Sequence, residues 1–214
     1  MRQRRVKNEA EKVLHYEPYI VLNAENSKGK WHSYFNNDNP IHMEIGCGRG
    51  QFVVSLAEKN PDINYIAVEP IGSVLLRALE KIDSKQFKNV LFLWKYADHI
   101  ETYLGESEIN KLYLNFSDPW PKERHAKRRL LHNIFLNQYK KILKPDGLIE
   151  FKTDNLNLFE FSLEEFQNCG FKILEKTYDL YQSSLLENNV PTEYEQKFVT
   201  LGMKINYCQA ANKK

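Results

Sequence analysis

Residues 112–132, LYLNFSDPWPKERHAKRRLLH, set a carboxylate, a constrained aromatic and concentrated positive charge in immediate succession. The apolar run from Leu112 to Phe116 has the composition of a buried strand, and Asp118 follows it two residues later. Pro119 and Pro121 flank Trp120 and restrict the backbone on both sides of the indole. A stiffened aromatic plane suits a planar base. A carboxylate beside it suits the amino and imino donors of a guanine edge, or positive charge developing on the ring. Lys122, Arg124, Lys127, Arg128 and Arg129 come next, with His125 among them. Apolar spacing predicts a helix over 127–143, with Lys127, Arg128 and Arg129 in its first turn. Exposed cations there oppose the helix dipole by about 0.3–1 kcal/mol each. A phosphate backbone laid across that end reverses the penalty, so the pattern favours nucleic-acid contact over a merely solvated charged face.

A second constellation lies upstream. MEIGCGRGQF, residues 43–52, stands where a first strand meets a first helix, and Gly46, Gly48 and Gly50 allow a sharp turn and close approach to a ligand. The spacing is G-x-G-x-G, not the G-x-G-x-x-G of a dinucleotide fold. Glu44 precedes the turn and either bonds the chain's own amides or points to a cationic ligand group. Glu69 ends the second strand, where a carboxylate accepts hydrogen bonds from both ribose hydroxyls. A ribose, an adenine and a cationic centre without a pyrophosphate describe S-adenosylmethionine better than a dinucleotide. A turn that binds nothing is the plainer alternative.

Short apolar runs at 41–45, 63–68, 90–94, 112–116 and 148–152 alternate with helical stretches at 51–59, 73–82, 127–143 and 158–169. Such alternation predicts an α/β fold with a parallel sheet covered on both faces. Lys144-Pro145-Asp146-Gly147 reads as a stop and a turn. Runs at 171–175 and 198–205 read as a closing strand pair, joined by a polar stretch too long for a simple hairpin loop. At 214 residues the chain suits one large domain, expected over 40–214 behind a basic arm and lead-in helix or loop over 1–39. A net charge of +2 calls for no polyanionic partner by itself, so the clustering of the basic residues bears the argument. Three scattered cysteines form no Cys-x-x-Cys pair, which speaks against a disulfide framework or zinc site and fits a reduced cytoplasmic setting. His15, His32, His42, His99 and His132 lack metal-ligand spacing, and no metal is expected. No signal peptide and no membrane span is legible.

LNFSDPWPKERHAKRRL resembles the signature of the bacterial tRNA (guanine-N7-)-methyltransferase family. MEIGCGRGQF is similar to that family's cofactor loop, FKTDN (151–155) to a second motif and TEYEQKF (192–198) to a third, in the family's order. The resemblance implies a single Rossmann-like seven-stranded methyltransferase sheet, mostly parallel with a reversed final strand. It implies methyl transfer from S-adenosylmethionine to N7 of guanine 46 in the variable loop of tRNA; a monomer or homodimer is expected, and the sequence does not decide between them. Carried over by motif, Glu44, Gly46, Gly48, Glu69, Tyr96, Ala97 and Asp118 hold the cofactor, and Asp118 is also catalytic. Lys122, Asp154, Thr192, Glu193, Tyr194 and Glu195 bind substrate, with Tyr194 placed for packing. Arg124, His125, Lys127, Arg128 and Arg129 contact RNA. Where the family usually carries an acid to hold the adenine amino group, this chain has Tyr96. Either the tyrosine hydroxyl accepts that bond, or Asp98 replaces it, or adenine is held less tightly. Two rivals remain open: a methyltransferase for an exocyclic amine or for protein, and a non-catalytic RNA-binding module.

Overall fold

The computed structural model describes residues 6–84 and 86–213, so the basic start of the expected arm, residues 1–5, lies outside the described residues. Seven strands make one sheet: β1 Ile41–Ile45, β2 Asn64–Val68, β3 Val90–Leu93, β4 Ile109–Asn115, β5 Leu143–Thr153, β6 Phe171–Thr177 and β7 Asn206–Asn212. Their order is β3-β2-β1-β4-β5-β7-β6. β1 to β5 pair in parallel, whereas β7 runs antiparallel to both β5 and β6. The parallel sheet and the reversed final strand are therefore both present.

The inner strands read as unbroken apolar runs because both faces are covered; β2 is buried at all five positions. Alternation still sorts the two faces. Ile41, Met43 and Ile45 join Phe135, Tyr139, Phe159 and Phe166, which lie on α5 Asn133–Ile142 and α6 Leu156–Asn168. On the other face Tyr65 and Ala67 join Phe52, Val53, Leu75 and Leu79, on α3 Gln51–Lys59 and α4 Gly72–Asp83. The described lead-in residues are packed onto this body. α1 Glu9–Leu14 lies against α4, and α2 Trp31–Phe35 sinks Trp31 completely, its indole N–H donating to the Tyr103 carbonyl at 2.8 Å.

Three expected boundaries differ. The helix over 127–143 begins only at Asn133, because His132 takes the cap position and its ring nitrogen accepts from the Ile134 amide. Residues Glu123–Arg128 form a 3-10 turn instead, so Lys127, Arg128 and Arg129 are not in the first turn of α5 and the dipole argument for them falls away. The expected turn at 144–147 lies within β5 as an irregularity, between the Ile109–Leu143 and Lys111–Leu148 pairings. The expected strand over 198–205 is not one: α7 Glu193–Thr200 takes its first three residues, a turn and an irregular stretch follow, and the strand comes later, as β7 Asn206–Asn212. TEYE accordingly opens a helix. β6 is the edge of the sheet and β7 lies inside it.

Candidate functional site

The strand order reverses between β1 and β4, which opens a crevice beyond their carboxyl ends. The turn from β1 into α3 lies there. Gly50 has φ 74°, and a Cβ built on it would stand 2.7 Å from the Ala78 side chain, so this glycine lets α4 close onto the turn. Gly46 and Gly48 also have positive φ, but a Cβ on either would meet nothing within 4 Å. The backbone is thus bare on its outer side, the form a ligand cradle takes.

Two buried acids frame the turn. Glu69, 6% exposed, accepts from the Gly48 amide on one carboxylate oxygen and from the Ile71 amide on the other, both at 3.0 Å. It ties the turn to the start of α4, and each oxygen keeps a lone pair for a further donor. Burial raises its pKa above the ordinary carboxylate value. Glu44, 3% exposed, accepts from the Asn115 side-chain amide at 3.1 Å on Oε1, while its Oε2 and Asn115 Oδ1 have no hydrogen-bond partner among the described residues. Burial pushes the Glu44 pKa up to about 8, against the lowering effect of Asn115 and Lys152. Two unpartnered buried oxygens side by side suit a donor-rich cationic group, whose charge would favour release of the Glu44 proton, and the Glu69 carboxylate suits a diol. The donor set therefore fits an amino-acid nucleoside such as S-adenosylmethionine. Ala97 is buried and Tyr96 is 67% exposed beyond β3, so the Tyr96 side chain is free to turn toward a base or away from it. Asp98 is exposed as well.

The tip of β4 forms the opposite wall. Phe116 and Trp120 have φ of 50° and 42°, in the left-handed region that bulky residues rarely occupy. Asp118, exposed between them, has no hydrogen bond or ion pair among the described residues. Arg128 lies over the Trp120 ring at 4.9 Å and His125 meets its edge at 5.8 Å, so one face of the indole already has a partner. Lys122, Arg124 and Lys127 are exposed. Arg129 is turned inward: its Nε and Nη2 donate to the Pro119 and Trp120 carbonyls, each at 3.1 Å.

The segment carrying TEYE closes the site from the far side. Asp154, after β5, is half-buried and has no hydrogen bond or ion pair among the described residues. Thr192 and Glu195 form a reciprocal capping box at the start of α7. Glu195 is fully buried. Its Oε2 accepts from Lys152 Nζ at 2.7 Å and from the Thr192 amide, and its Oε1 accepts from Tyr181 and Asn189. Lys152, equally buried, also donates to Asn189 and the Val190 carbonyl and stands over the Phe52 ring at 5.0 Å. Glu195 is thereby occupied as the fold's own anchor and presents no free oxygen lone pair to a substrate. Glu193 is exposed and paired with Lys81 at 2.7 Å. Tyr194, 56% exposed, leans on Phe198 and Phe116, with ring centres 4.7 and 6.0 Å away.

Asn115 and Lys152 are contributors that the sequence reading did not single out. A lysine inside the apolar run LIEFKT was the available signal for one, and T-x-x-E as a capping box for its partner. Among the described residues no group of three or more His, Cys, Asp or Glu side chains could hold a metal ion. Cys47 is buried and its thiol pKa stands well above the ordinary value through burial, which disfavours a nucleophile.

A family model described as "Putative methyltransferase" matches residues 38–208. The tRNA (guanine-N(7)-)-methyltransferase of Clostridioides difficile (strain 630) is 49% identical over 211 residues, covering 98% of each chain. The protein of the same name from Lachnoclostridium phytofermentans is 46% identical over 214 residues, covering 100% of each chain. Among solved structures, the 16S rRNA methyltransferase KamB superposes with a TM-score of 0.66 at 14% identity, covering 87% of this chain and 94% of that one. An antibiotic-related methyltransferase gives 0.64 at 19% identity, covering 88% and 94%. At those identities the structural likeness speaks for the fold alone.

Proposed function

The chain belongs to the tRNA (guanine-N7-)-methyltransferase family, and we propose that it methylates N7 of a guanine in tRNA, at position 46 of the variable loop, with S-adenosylmethionine as donor. The observation that carries the reading is the convergence of unlike chemistry at one crevice. Sealed acids and a bare glycine turn stand at the ends of β1 and β2, and an unpartnered Asp118 stands beyond β4. When bound, S-adenosylmethionine supplies a methyl group made electrophilic by its sulfonium.

Glu44 and Asn115 would hold the cofactor's cationic amino group, Glu69 its ribose, and the turn at Gly46 and Gly48 its approach to the backbone. Tyr96, Ala97 and Asp98 would border the adenine. Guanine N7 has an exposed lone pair and no proton to lose, so the chain's task is alignment more than base catalysis. Fixing two reactants in line is worth on the order of 7–11 kcal/mol of barrier. The purine ring becomes positive as the methyl arrives, and the carboxylate of Asp118 offsets that charge. Asp154 and Thr192 border the same crevice, and Tyr194 offers an exposed ring to an unstacked base. Lys122, Arg124, Lys127 and Arg128 would meet phosphate oxygens. Among the described residues no helix is long and apolar enough to cross a membrane, and the cytoplasm, where tRNA resides, is the proposed place of action.

The test is methyl transfer to an unmodified tRNA transcript from labelled S-adenosylmethionine, followed by aniline cleavage. Label with strand scission at position 46 is expected. Label without scission would place the methyl on another nitrogen, and absence of label on any tRNA would reject the reading.

A further inference from the structure

Of the three arginines in the run 124–129, Arg129 alone donates hydrogen bonds to backbone carbonyls among the described residues. Its fork spans two consecutive carbonyls, Pro119 and Trp120, and its guanidinium lies 4.4 Å from the centre of the Phe161 ring on α6. Those carbonyls belong to the peptide stretch that follows Asp118. Phe116 and Trp120, on either side of Asp118, both hold left-handed backbone conformations, which persist only where surrounding contacts over-determine them. Nothing acidic pairs with Arg129 among the described ion pairs, so its bonds go to the loop itself.

We propose that Arg129 is a positioning residue: it pins the Asp118-Pro119-Trp120 tip against α6 so that the carboxylate meets the reacting purine, and it does not serve as a phosphate contact. The inference rests on the proposed role of Asp118. Lysine retains the charge but not the planar two-toothed geometry, so it replaces a phosphate-binding arginine far better than a carbonyl-spanning one. A displacement of about 1 Å in a reacting group costs on the order of 100-fold in rate.

Arg129→Lys in the full-length chain separates the two roles. The single-turnover rate should fall about 10- to 100-fold, while tRNA affinity and its salt dependence stay within about twofold of wild type. Acrylamide quenching of tryptophan fluorescence should rise, because Trp31 is fully buried and Trp94 is held by its own hydrogen bond, leaving Trp120 to respond. The opposite pattern overturns the proposal: a near-normal rate for Arg129→Lys, with weaker binding and a salt slope lower by about one for Arg129→Gln. Should Arg129→Lys not fold, Phe161→Leu serves in its place. A reduced rate with intact tRNA affinity supports the proposal, and an unchanged rate overturns it. Asp118→Ala run alongside keeps the two readings apart. Full turnover by that variant would sink the role of Asp118, whereas the Arg129→Lys pattern above tests positioning alone.

Discussion

Glu44 and Glu69, at the ends of β1 and β2, are 3% and 6% exposed and already accept hydrogen bonds from the protein. Asp118 and Asp154, after β4 and β5, are more open and have no hydrogen bond or ion pair among the described residues. The first pair is built into the fold and preorganises a small site. The second leaves its charge available until a partner arrives. Lys152 and Glu195 extend the sealed class across the sheet, since they are fully buried and satisfy each other beneath the open rim. Small-molecule sites gain from preformed donors and acceptors, whereas the phosphates of a polyanion are met by exposed cations such as Lys122 and Arg124, which leaves the open carboxylates for the ring of a base. The division fits a cofactor on one side and tRNA on the other.

Breaking the sealed side should cost most in stability. Lys152→Met leaves Glu195 buried without its counter-charge, and urea unfolding should show a loss of about 3–5 kcal/mol. The double variant Lys152→Met/Glu195→Leu should recover much of that loss; no recovery would mean that the hydrogen bonds to Asn189 and Tyr181 matter more than the pair. On the open side, Asp118→Ala should leave urea stability within about 0.5 kcal/mol while slowing single-turnover methyl transfer about 100- to 1000-fold.

The pH behaviour sharpens the contrast. Folded Glu44 holds its proton up to about pH 8, whereas an unfolded glutamate loses it near 4.5. The folded state therefore binds the extra proton between those values. The associated stability is complete below 4.5 and is lost as pH rises through about 8. Glu44→Gln should match wild type in Tm near pH 4 and exceed it at pH 9, by about 2–4 °C for each kcal/mol regained. An equal gap at both pH values would contradict the burial of Glu44. The smallest effect belongs to the exposed cations: Arg124→Gln should weaken tRNA binding severalfold and lower the salt slope by about 0.9 for the phosphate given up, as read by filter binding across a salt series.

Much of this was legible in the residues. The apolar runs of β1 to β5 and the helices α3, α4 and α6 lie where periodicity puts them, because burial on both faces leaves an unmistakable pattern. Boundaries decided by side-chain capping were harder. Leu130, Leu131 and Ile134 prolong the apolar rhythm upstream, yet His132 caps α5 and delays its start. The apolar residues from Phe198 to Ile205 mimic a strand, yet the Thr192–Glu195 box starts a helix that runs through Thr200, and the strand begins only at Asn206. Glu44, Glu69 and Asp118 stood out by their places at strand ends. That Glu195 is an anchor and Arg129 faces inward follows from partners 43 and about ten positions away, Lys152 for one and Pro119 and Trp120 for the other. Local spacing carries no trace of such partners.

Placement of the reacting guanine between the β4 tip and α7 is a matter of geometry, and photocrosslinking reads it. A tRNA carrying 6-thioguanine at position 46, irradiated in complex with the protein and S-adenosylhomocysteine, should join to residues 116–120 or to Tyr194. Crosslinks confined to the outer face of α5 or to the β6 edge would contradict it.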